Sequence, residues 1–442
     1  MKQPNVVLIV ADDVTYHDLP LYGGQNVKTP AIDALGSQGV VFNNAFLSMS
    51  MCAPCRAELY TGLYPVRNGC CWNHSPSRTG TQSIVHHMHA LGYRVGLAGK
   101  KHADPESTFP FEDVPGLTDN CVAKETHFDP AGIKAFMEQE SPFCLVVGLV
   151  EAHGPWTMGD PSHFERSELK LPPFMADTPE TRENFARYLA EVEVLDQRVG
   201  ATLDTLESSG KAGDTLVIFT SEQGAQFPGG KWTNWNTGVH TGFMVRWPGY
   251  IEPGQRSDAI IQYADVVPTL IELAGGNPQE ANLDGTSFLT VLRGESTHVR
   301  RYGYFMHNNI PEGPPYPIRA ISDGRHHYIR NLRHEAMYIE KHMMADWNKY
   351  WHEWVVKSTF NQHTEDCVRR YMVRPPEQLY DLQSDPFEMN NVANDPQYAQ
   401  VQRELSEELD RWMTTQGDPG LSIDTKEQWK AARNGEHFVP VG

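Results

Sequence analysis

Four short runs of strand-forming apolar residues recur along the first half of the chain and determine its fold class. They span residues 5–11, 94–99, 143–150 and 215–220. Apolar runs of this length are typical of parallel strands that are buried on both faces. Helical patterns at residues 81–91 and 181–208 precede two of the runs. We therefore predict an α/β fold with a large, mostly parallel sheet between two layers of helices.

Polar residues follow each of these runs directly. In chain order they are Asp12-Asp13, Lys100-Lys101-His102, Glu151-Ala152-His153 and Ser221-Glu222-Gln223. Polar residues after a single strand usually form only a turn. In open α/β sheets, however, ligands bind outside the carboxyl ends of the strands. Four such groups with acidic, basic and imidazole side chains therefore predict one convergent site.

The pattern changes near residue 300. Residues 320–332 have the pattern of a β-hairpin with Asp323-Gly324 at its turn, and residues 397–415 have that of an amphipathic helix. We predict a catalytic α/β domain over residues 1–300. A smaller α+β domain with antiparallel strands and a closing helix is predicted over residues 301–442.

The chain carries a formal net charge of −19. This charge opposes nonspecific binding to nucleic acid or to an anionic membrane surface, so neither is expected as a partner. No run approaches the roughly 20 apolar residues that cross a bilayer. No secretory signal precedes the first strand, and the sequence leaves the compartment open: we expect a cytoplasmic protein if no signal peptide has been removed. If a signal peptide has been removed, we expect a periplasmic or secreted protein instead.

The seven cysteines are an odd number spread along the chain, and they do not predict a disulfide scaffold. Cys52 and Cys55 form a C-x-x-C pair, which occurs in redox sites and in zinc sites. A zinc site needs a second pair, and only the adjacent Cys70-Cys71 is available. A redox site is favoured by a thioredoxin-like context, which the neighbouring pattern does not supply.

The sequence Cys52-Ala53-Pro54-Cys55-Arg56, followed by Thr61-Gly62, resembles the C-x-P-x-R signature of type I sulfatases. Further landmarks of that family occur in the same order, at residues 5–13, 29–35, 99–102, 265–270 and 379–382. The stretches 99–111 and 227–230 are most similar to the sulfamidases, which are heparan N-sulfatases. The resemblance implies an alkaline-phosphatase-like fold and a hydrolase of sulfuric esters or sulfamates.

In this family the first cysteine of the signature is oxidised to formylglycine. The resemblance therefore implies that a formylglycine-generating enzyme converts Cys52. It also implies a divalent metal, with Ca²⁺ as the expected ion because carboxylate oxygens suit it. The implied metal ligands are Asp12, Asp13, Cys52 in its converted form, Glu222 and Gln223.

The resemblance also implies roles for the remaining site residues. One hydroxyl of the hydrated formylglycine would attack sulfur, and the other would later lose its proton to eject sulfate. Arg56 would hold the hydrate and offset its charge. Lys100 and His102 would orient the diol and the sulfate. His153 would contact the sulfate or protonate the leaving atom, and Lys231 would bind a sulfate oxygen.

Two places differ from the family pattern. Glu222-Gln223 stand where sulfatases usually have Asp followed by Asn or His, so at least the acidic side chain is one methylene longer. Calcium tolerates this change because its coordination shell is flexible. Lys231 stands where sulfamidases have Arg. A compact ammonium group therefore replaces a planar guanidinium group that can bind two oxygens at once. A different sulfated substrate is one explanation.

Other candidate residues have both a functional and a structural interpretation. His240 could add a cation to the site or lie in an ordinary loop. Residues 338–357, rich in aromatic residues and histidine, could line the pocket. The triplet His86, His87 and His89 favours a helix face over a metal site. Four tryptophans could stack on a sugar, although packing is the commoner role of each: Trp72, Trp156, Trp232 and Trp235.

Three functions are compatible with these residues. The first is a sulfatase acting on a sulfated sugar, such as an N-sulfated or O-sulfated amino sugar or an algal-type polysaccharide. The second is a phosphodiesterase or phosphonate monoester hydrolase of the same superfamily. The third is a noncatalytic protein that binds sulfated glycans, which the complete catalytic set disfavours. An anionic substrate requires local cations to override the acidic surface. A homodimer is compatible with the sequence.

Overall fold

Two β-sheets organise the residues that the computed structural model describes, which are 3–125, 128–140, 142–345 and 348–438. The first sheet has eight strands in the order β4-β3-β5-β1-β6-β7-β2-β8. Its strands are β1 (Asn5–Val10), β2 (Val40–Phe46), β3 (Arg94–Gly99), β4 (Glu112–Asp113), β5 (Phe143–Gly148), β6 (Thr215–Thr220), β7 (Phe243–Arg246) and β8 (Gln255–Gln262).

The second sheet has four strands in the order β12-β11-β10-β9 within the same described ranges. They are β9 (Gly303–His307), β10 (Ile318–Ser322), β11 (His326–Asn331) and β12 (Glu377–Asp381). The helices are α1 (Pro30–Ser37), α2 (Cys52–Thr61), α3 (Pro65–Asn68), α4 (Ile84–Ala90), α5 (Ala131–Met137), α6 (Pro179–Ser208), α7 (Asn236–Val239), α8 (Val266–Leu273), α9 (Leu289–Leu292), α10 (Lys349–Ser358), α11 (Gln362–Met372), α12 (Ala399–Gln416) and α13 (Lys426–Arg433).

The central strand β1 shows why the large sheet forms. It pairs in parallel with β5 and with β6, and all six of its side chains are buried. Val7 and Ile9 face one apolar cluster, while Val6 and Leu8 face a second cluster on the opposite side. Helix α6 contributes to the first cluster, and α2 and α8 contribute to the second. The predicted α/β fold with a mostly parallel, helix-covered sheet is confirmed, and β7 is the antiparallel member.

The predicted elements occur with small differences in length. The strands predicted at residues 5–11 and 143–150 end one and two residues earlier, at Val10 and Gly148. The helix predicted at residues 81–91 is shorter and begins at Ile84, because the Ser83 hydroxyl accepts a hydrogen bond from the Val85 amide and caps it. The helix predicted at 181–208 extends back to Pro179.

The second sheet is antiparallel and follows the first in the chain. Strands β10 and β11 form the predicted hairpin, with Ile321 opposite Tyr328. Gly324 adopts a left-handed φ of 89°, which suits glycine in a tight turn. Helix α12 packs Leu405 and Leu409 against the described core. Among the described residues, the structure contains no helix of the length and apolarity that a membrane span requires.

Candidate active site

Helix α2 places Cys52 at the carboxyl ends of the central strands. Cys52 is the first residue of the helix, and its side chain is buried. Its Sγ lies 3.5 Å from Asp12 Oδ1 and 3.1 Å from Gln223 Nε2. It also lies 3.2 Å from Lys231 Nζ. The structure therefore brings the signature cysteine together with the polar residues that follow β1 and β6.

Several residues of this site have a left-handed backbone that is uncommon outside glycine. Their φ angles are 58° at Asp13, 43° at His102, 54° at Glu222 and 64° at Trp232. A left-handed conformation costs a non-glycine residue roughly 1–2 kcal/mol. Such residues cluster where a site needs a particular side-chain direction. Here the sharp turns after β1, β3 and β6 direct polar side chains back towards Cys52.

The acidic residues of the site form a group that could hold a metal ion. Ligand atoms of Asp12, Asp13, Cys52 and Glu222 all lie within 4.8 Å of one another. The Gln223 Nε2 lies among them, 2.7 Å from Asp13 Oδ1 and 3.3 Å from Glu222 Oε2. Three electron-rich atoms, including the Cys52 sulfur, thus converge on one amide nitrogen. If the nitrogen and oxygen of the Gln223 side-chain amide exchanged positions, the amide oxygen would lie among these atoms. The donor set would then consist mainly of oxygens, which suits a hard divalent cation.

Three buried cations neutralise the three carboxylates of this group. Lys100 Nζ pairs with Asp12, and Arg56 Nε pairs with Glu222. Lys231 Nζ lies 2.6 Å from Asp13 Oδ2. Burial raises the pKa of Asp12, but the charges of Lys100, His153, Arg56 and Lys231 together outweigh this effect and hold the pKa well below its usual value. The site is therefore highly charged yet internally balanced.

The same burial makes both cysteines of the C-x-x-C pair poor thiolates. Burial raises the pKa of Cys52, even though Lys100 and Lys231 act in the opposite direction. Burial also raises the pKa of Cys55 well above its usual value, and the Glu222 carboxylate adds to this effect. Redox-active cysteines have lowered pKa values. The structure therefore gives no support to a redox function, and no metal-compatible cluster within the described ranges includes Cys55, Cys70 or Cys71.

Two histidines lie beside this group. Burial lowers the pKa of His102 well below its usual value, with a further contribution from the Lys100 charge, so the His102 ring is neutral near pH 7. Its Nε2 lies 3.0 Å from His74 Nδ1, and its Nδ1 has no hydrogen-bond partner among the described residues. His153 Nε2 lies 3.7 Å from Asp13 Oδ2. His74 was not predicted from the sequence, because it follows no strand and matches no motif.

A buried ion pair holds the backbone around His153. Lys124 Nζ pairs with Glu191 of helix α6, and it also donates hydrogen bonds to the carbonyl oxygens of His153 and Pro155. Glu191 Oε1 accepts hydrogen bonds from the amides of Thr157 and Met158, at 2.6 and 3.1 Å. This pair therefore fixes the loop that carries His153, although neither residue carries a sequence signal.

Glu191→Gln is expected to lower the free energy of unfolding by about 3–5 kcal/mol, because it leaves the Lys124 ammonium buried without a counter-ion. Equilibrium urea unfolding measures the change. Glu193→Gln is the matched control, since the same helix carries Glu193 and its partner His163 is a surface residue. Solvent screens that pair, so the control should change little. Equal effects of the two substitutions would contradict a special role for Lys124–Glu191.

Several other candidates lie outside the site. The His240 ring is buried and stacks on Tyr16 at a centroid distance of 3.7 Å, and burial lowers its pKa well below the usual value. His240 is therefore neutral and adds no cation. The His86 ring belongs to the amino-terminal cap of α4, and no metal-compatible cluster in the described part of the chain includes the histidine triplet.

The four tryptophans pack against protein and offer no open platform for a sugar. Trp72, Trp232 and Trp235 are buried. Trp156 is half-buried and stacks on Phe227 at 4.7 Å. Of the stretch 338–357, His342 lies against Trp232, next to Lys231, so this part of the stretch reaches the edge of the site. Asp346 and Trp347 of that stretch lie outside the described residues.

Cys55→Ser is expected to be tolerated, with a stability change below about 1.5 kcal/mol. The Cys55 thiol lies 3.2 Å from both the Cys52 carbonyl oxygen and Gln223 Oε1, and a serine hydroxyl can donate to the same acceptors. Thermal unfolding and activity test this expectation. Cys144→Ser is the control: both cysteines belong to the same apolar cluster, but the Cys144 thiol has no hydrogen-bond partner among the described residues, so a hydroxyl there should cost more. Unfolding of the Cys55 variant alone would restore a structural role for the C-x-x-C pair.

Comparison with known proteins identifies the relatives of the whole chain. A family model described as Sulfatase matches residues 4–276, and one described as N-sulphoglucosamine sulphohydrolase, C-terminal, matches residues 230–338 and 328–415. An ulvan-active sulfatase of Formosa agariphila is 34% identical over 432 residues, covering 94% of this chain and 81% of that protein. The N-sulphoglucosamine sulphohydrolase of Homo sapiens is 28% identical over 480 residues, covering 94% and 91%.

Solved structures share the fold over nearly the full length. BT4656, determined in complex with its substrate D-glucosamine-2-N,6-O-disulfate, is similar with a TM-score of 0.71 at 20% identity, covering 96% of this chain and 100% of that one. The phosphonate monoester hydrolase of Agrobacterium radiobacter has a TM-score of 0.70 at 21% identity, covering 93% and 96%. At these identities the likeness establishes the common architecture.

Proposed function

Because this chain belongs to the sulfatase family, we propose that it releases sulfate from a sulfated amino sugar or related glycan, using Cys52 in its formylglycine form and a bound calcium ion. The observation that carries the proposal is the surroundings of Cys52. Its Sγ lies within 3.5 Å of a carboxylate, an amide and an ammonium group at once. An ordinary buried cysteine packs against apolar atoms instead.

The residues around position 52 suit both groups that the proposal requires. Formylglycine at position 52 would supply a hydrated aldehyde as the nucleophile, and the bound metal ion would supply a divalent charge that attracts sulfate oxygens. Asp12, Asp13, Glu222 and the Gln223 amide oxygen would hold the metal. The longer side chains of Glu222 and Gln223 already reach the group, and they fit calcium because its shell is large and flexible. A dedicated formylglycine-generating enzyme would be the partner that matures Cys52.

The remaining residues bind and neutralise the sulfate group. Lys231 lies nearest to position 52 and would bind a sulfate oxygen as the charge of the transition state develops. Lys100 would bind a second oxygen from the other side. Arg56 Nη1 donates a hydrogen bond of 2.6 Å to the Lys100 carbonyl oxygen, so it keeps the end of β3 against α2. Three preorganised cations in a buried site act far more strongly than cations in water.

The two histidines would divide the proton transfers. His102 is neutral near pH 7, so its ring can accept a proton from a hydroxyl at position 52. His153 Nε2 lies 3.7 Å from Asp13 Oδ2, and His153 would donate the proton to the leaving oxygen or nitrogen.

Free-sulfate release tests the proposal. The protein is co-expressed with a formylglycine-generating enzyme and supplied with matched N-sulfated and O-sulfated glucosamines in the presence of Ca²⁺. Release from the N-sulfated sugar establishes a sulfamidase, and release from the O-sulfated sugar alone establishes an ester sulfatase. Failure on both sugars, in protein shown by mass spectrometry to carry formylglycine, would reject the proposed substrate class.

A phosphonate monoester hydrolase or phosphodiesterase is the second candidate, because an enzyme with that activity shares this fold. Turnover of phenyl phosphonate and phosphodiester substrates beside the sulfated sugars separates the two activities. A noncatalytic glycan-binding role is the third candidate. Binding of sulfated sugars by the converted protein without any turnover would favour that role over the other two.

A further inference from the structure

A cluster of basic side chains lies at the rim of the site, outside the residues assigned above. We define this basic rim as His74, Lys341, His342 and Arg433. His74, Lys341 and Arg433 are exposed, and the His342 side chain is one-third exposed, at 33%. Arg433 is close enough to His74 to interact with it electrostatically. The rim therefore combines a loop that follows the C-x-x-C helix with two segments from the carboxyl-terminal part of the chain.

Two chains of contacts connect the basic rim to Cys52. On one side, His74 Nδ1 lies 3.0 Å from His102 Nε2. On the other side, the His342 ring stacks on the Trp232 ring at 5.1 Å with an interplanar angle of 6°. Trp232 adjoins Lys231, whose Nζ lies 3.2 Å from Cys52 Sγ. The basic rim therefore borders the residues that surround Cys52.

A buried carboxylate organises the basic rim from beneath. Glu312 accepts hydrogen bonds from Asn73 Nδ2 at 2.9 Å and from His342 Nε2 at 3.0 Å, and Lys341 Nζ lies 3.3 Å away. Burial alone would raise the pKa of Glu312, but the hydrogen bonds from His342 and Asn73, together with the charges of His342 and Lys341, lower it to about 2. Glu312 is thus ionised, and Asn73, His342 and Lys341 occupy its oxygens. The contact through Nε2 fixes the orientation of the His342 ring and leaves Nδ1 on the side away from Glu312.

A second buried carboxylate is also used internally. Glu340 accepts hydrogen bonds from the amides of His342 and Met343, at 3.0 and 2.7 Å. Glu312, Glu340 and His342 are near enough to hold a metal ion. However, Lys341 occupies the space beside Glu312, and an ammonium group there opposes a second cation. The acids are therefore supports, and the side chains presented to solvent are basic.

We infer that the basic rim is a second anion-binding subsite, which takes an anionic substituent of the glycan other than the scissile sulfate. This inference rests on the proposed function. The chemistry it recognises is an oxyanion on the same sugar or its neighbour, either a second sulfate or a uronate carboxylate. Lysine and arginine side chains such as Lys341 and Arg433 make charge-assisted hydrogen bonds to such oxygens.

The negative net charge of the protein means that an anionic glycan needs positive side chains near the site. With a formal charge of −19, the surface as a whole repels a polyanionic glycan. Lys100, Lys231 and Arg56 are already paired with carboxylates inside the site. In the basic rim Lys341 and His342 share the Glu312 carboxylate, whereas Arg433 forms no ion pair with the described residues and adds uncompensated positive charge. Attraction at this point offsets the repulsion and orients the sugar.

Binding to a Cys52→Ala background tests the inference without turnover. Calorimetry in the presence of Ca²⁺ compares glucosamine N-sulfate, glucosamine N,6-O-disulfate and a disaccharide that joins a uronate to the N-sulfated sugar. We expect the two doubly anionic ligands to bind about 3- to 10-fold more tightly than the N-sulfate. Preference for the disulfate alone assigns the subsite to sulfate, and preference for the disaccharide alone assigns it to a carboxylate.

Lys341→Gln and His342→Gln should each reduce this preference ratio towards one, and increased ionic strength should do the same. Lys211→Gln is the matched control, because Lys211 precedes β6 at the opposite end of the sheet and should leave the ratio unchanged. Melting temperatures verify folding. Equal affinities for all three ligands, or a ratio unaffected by both rim substitutions, would overturn the inference. If binding depends on the basic rim but the converted enzyme releases no sulfate, the proposed function is rejected and the anion-binding subsite is retained.

Discussion

Replacing Cys52 by alanine is expected to abolish sulfate release, by a factor on the order of 10⁴ or more, while leaving the fold intact. Alanine cannot be converted to formylglycine, so the nucleophile is lost entirely. The structural loss is small, because the substitution removes one sulfur atom with its contacts to Asp12, Asp13, Gln223 and Lys231, and these four side chains keep their other hydrogen bonds. Initial rates of sulfate release and the melting temperature measure the two parts of this expectation.

Cys144→Ala is the matched control for this substitution. Cys144 is fully buried in β5, whereas Cys52 begins α2, so Cys144→Ala makes the same change of side chain at a buried position away from the site. It lies within an apolar cluster rather than at the strand ends. We expect its activity to be retained and its stability to fall at least as much as that of the Cys52 variant. Substantial turnover by Cys52→Ala would remove the central claim of the mechanism.

Removal of the metal is expected to reduce activity by about 10²–10³-fold, because the cation contributes several kcal/mol of transition-state stabilisation. Dialysis against a chelator should cause this loss, and added Ca²⁺ should reverse it. Asp13→Asn should weaken calcium binding, since it removes one charge from the acidic group while keeping the shape of the side chain. Asp13 lies within 4.8 Å of the other ligand atoms, so its charge acts directly.

A thermal shift provides a readout of metal binding that is independent of turnover. A ligand that binds only the folded state raises the melting temperature with its concentration. Added Ca²⁺ should therefore stabilise the original protein more than the Asp13→Asn variant. Asp18→Asn is the control, because Asp18 is buried nearby but hydrogen-bonds Tyr188 instead. Equal calcium shifts in all three proteins, or full activity after chelation, would exclude the proposed ligand set.

The sequence predicted the part of the site that lies on regular elements. Residues that directly follow parallel strands must meet at one sheet edge, so Asp12, His102, His153 and Glu222 could be grouped by their positions along the chain. The family signature added Cys52 and Arg56 to that group. Both inferences depend on local pattern alone, which explains why the four strands predicted at residues 5–11, 94–99, 143–150 and 215–220 end within two residues of the observed ends.

The supports of the site could not be predicted in the same way. Lys124 and Glu191 are 67 positions apart, and their pairing depends on how a loop crosses helix α6. Glu312 meets Asn73 across 239 positions. Neither contact produces a periodic pattern or a motif, because loop paths are set by tertiary packing. The orientation of Gln223 and the burial of His240 depend on three-dimensional packing for the same reason.

Helix α6 has a consequence for how the chain can change in length. It carries Glu191, which holds the His153 loop, and Arg198, which pairs with Glu151 at 3.0 Å. The Glu151 carbonyl oxygen in turn accepts a hydrogen bond from the Asp12 amide, so Arg198 acts on the ends of both β5 and β1. Glu191 and Arg198 are seven positions apart, or about two turns, so they point in nearly the same direction. One inserted residue between them would rotate the second by about 100°. The spacing along this helix thus sets the alignment of two neighbouring strand ends, and length variation is better tolerated in the surface loops than here.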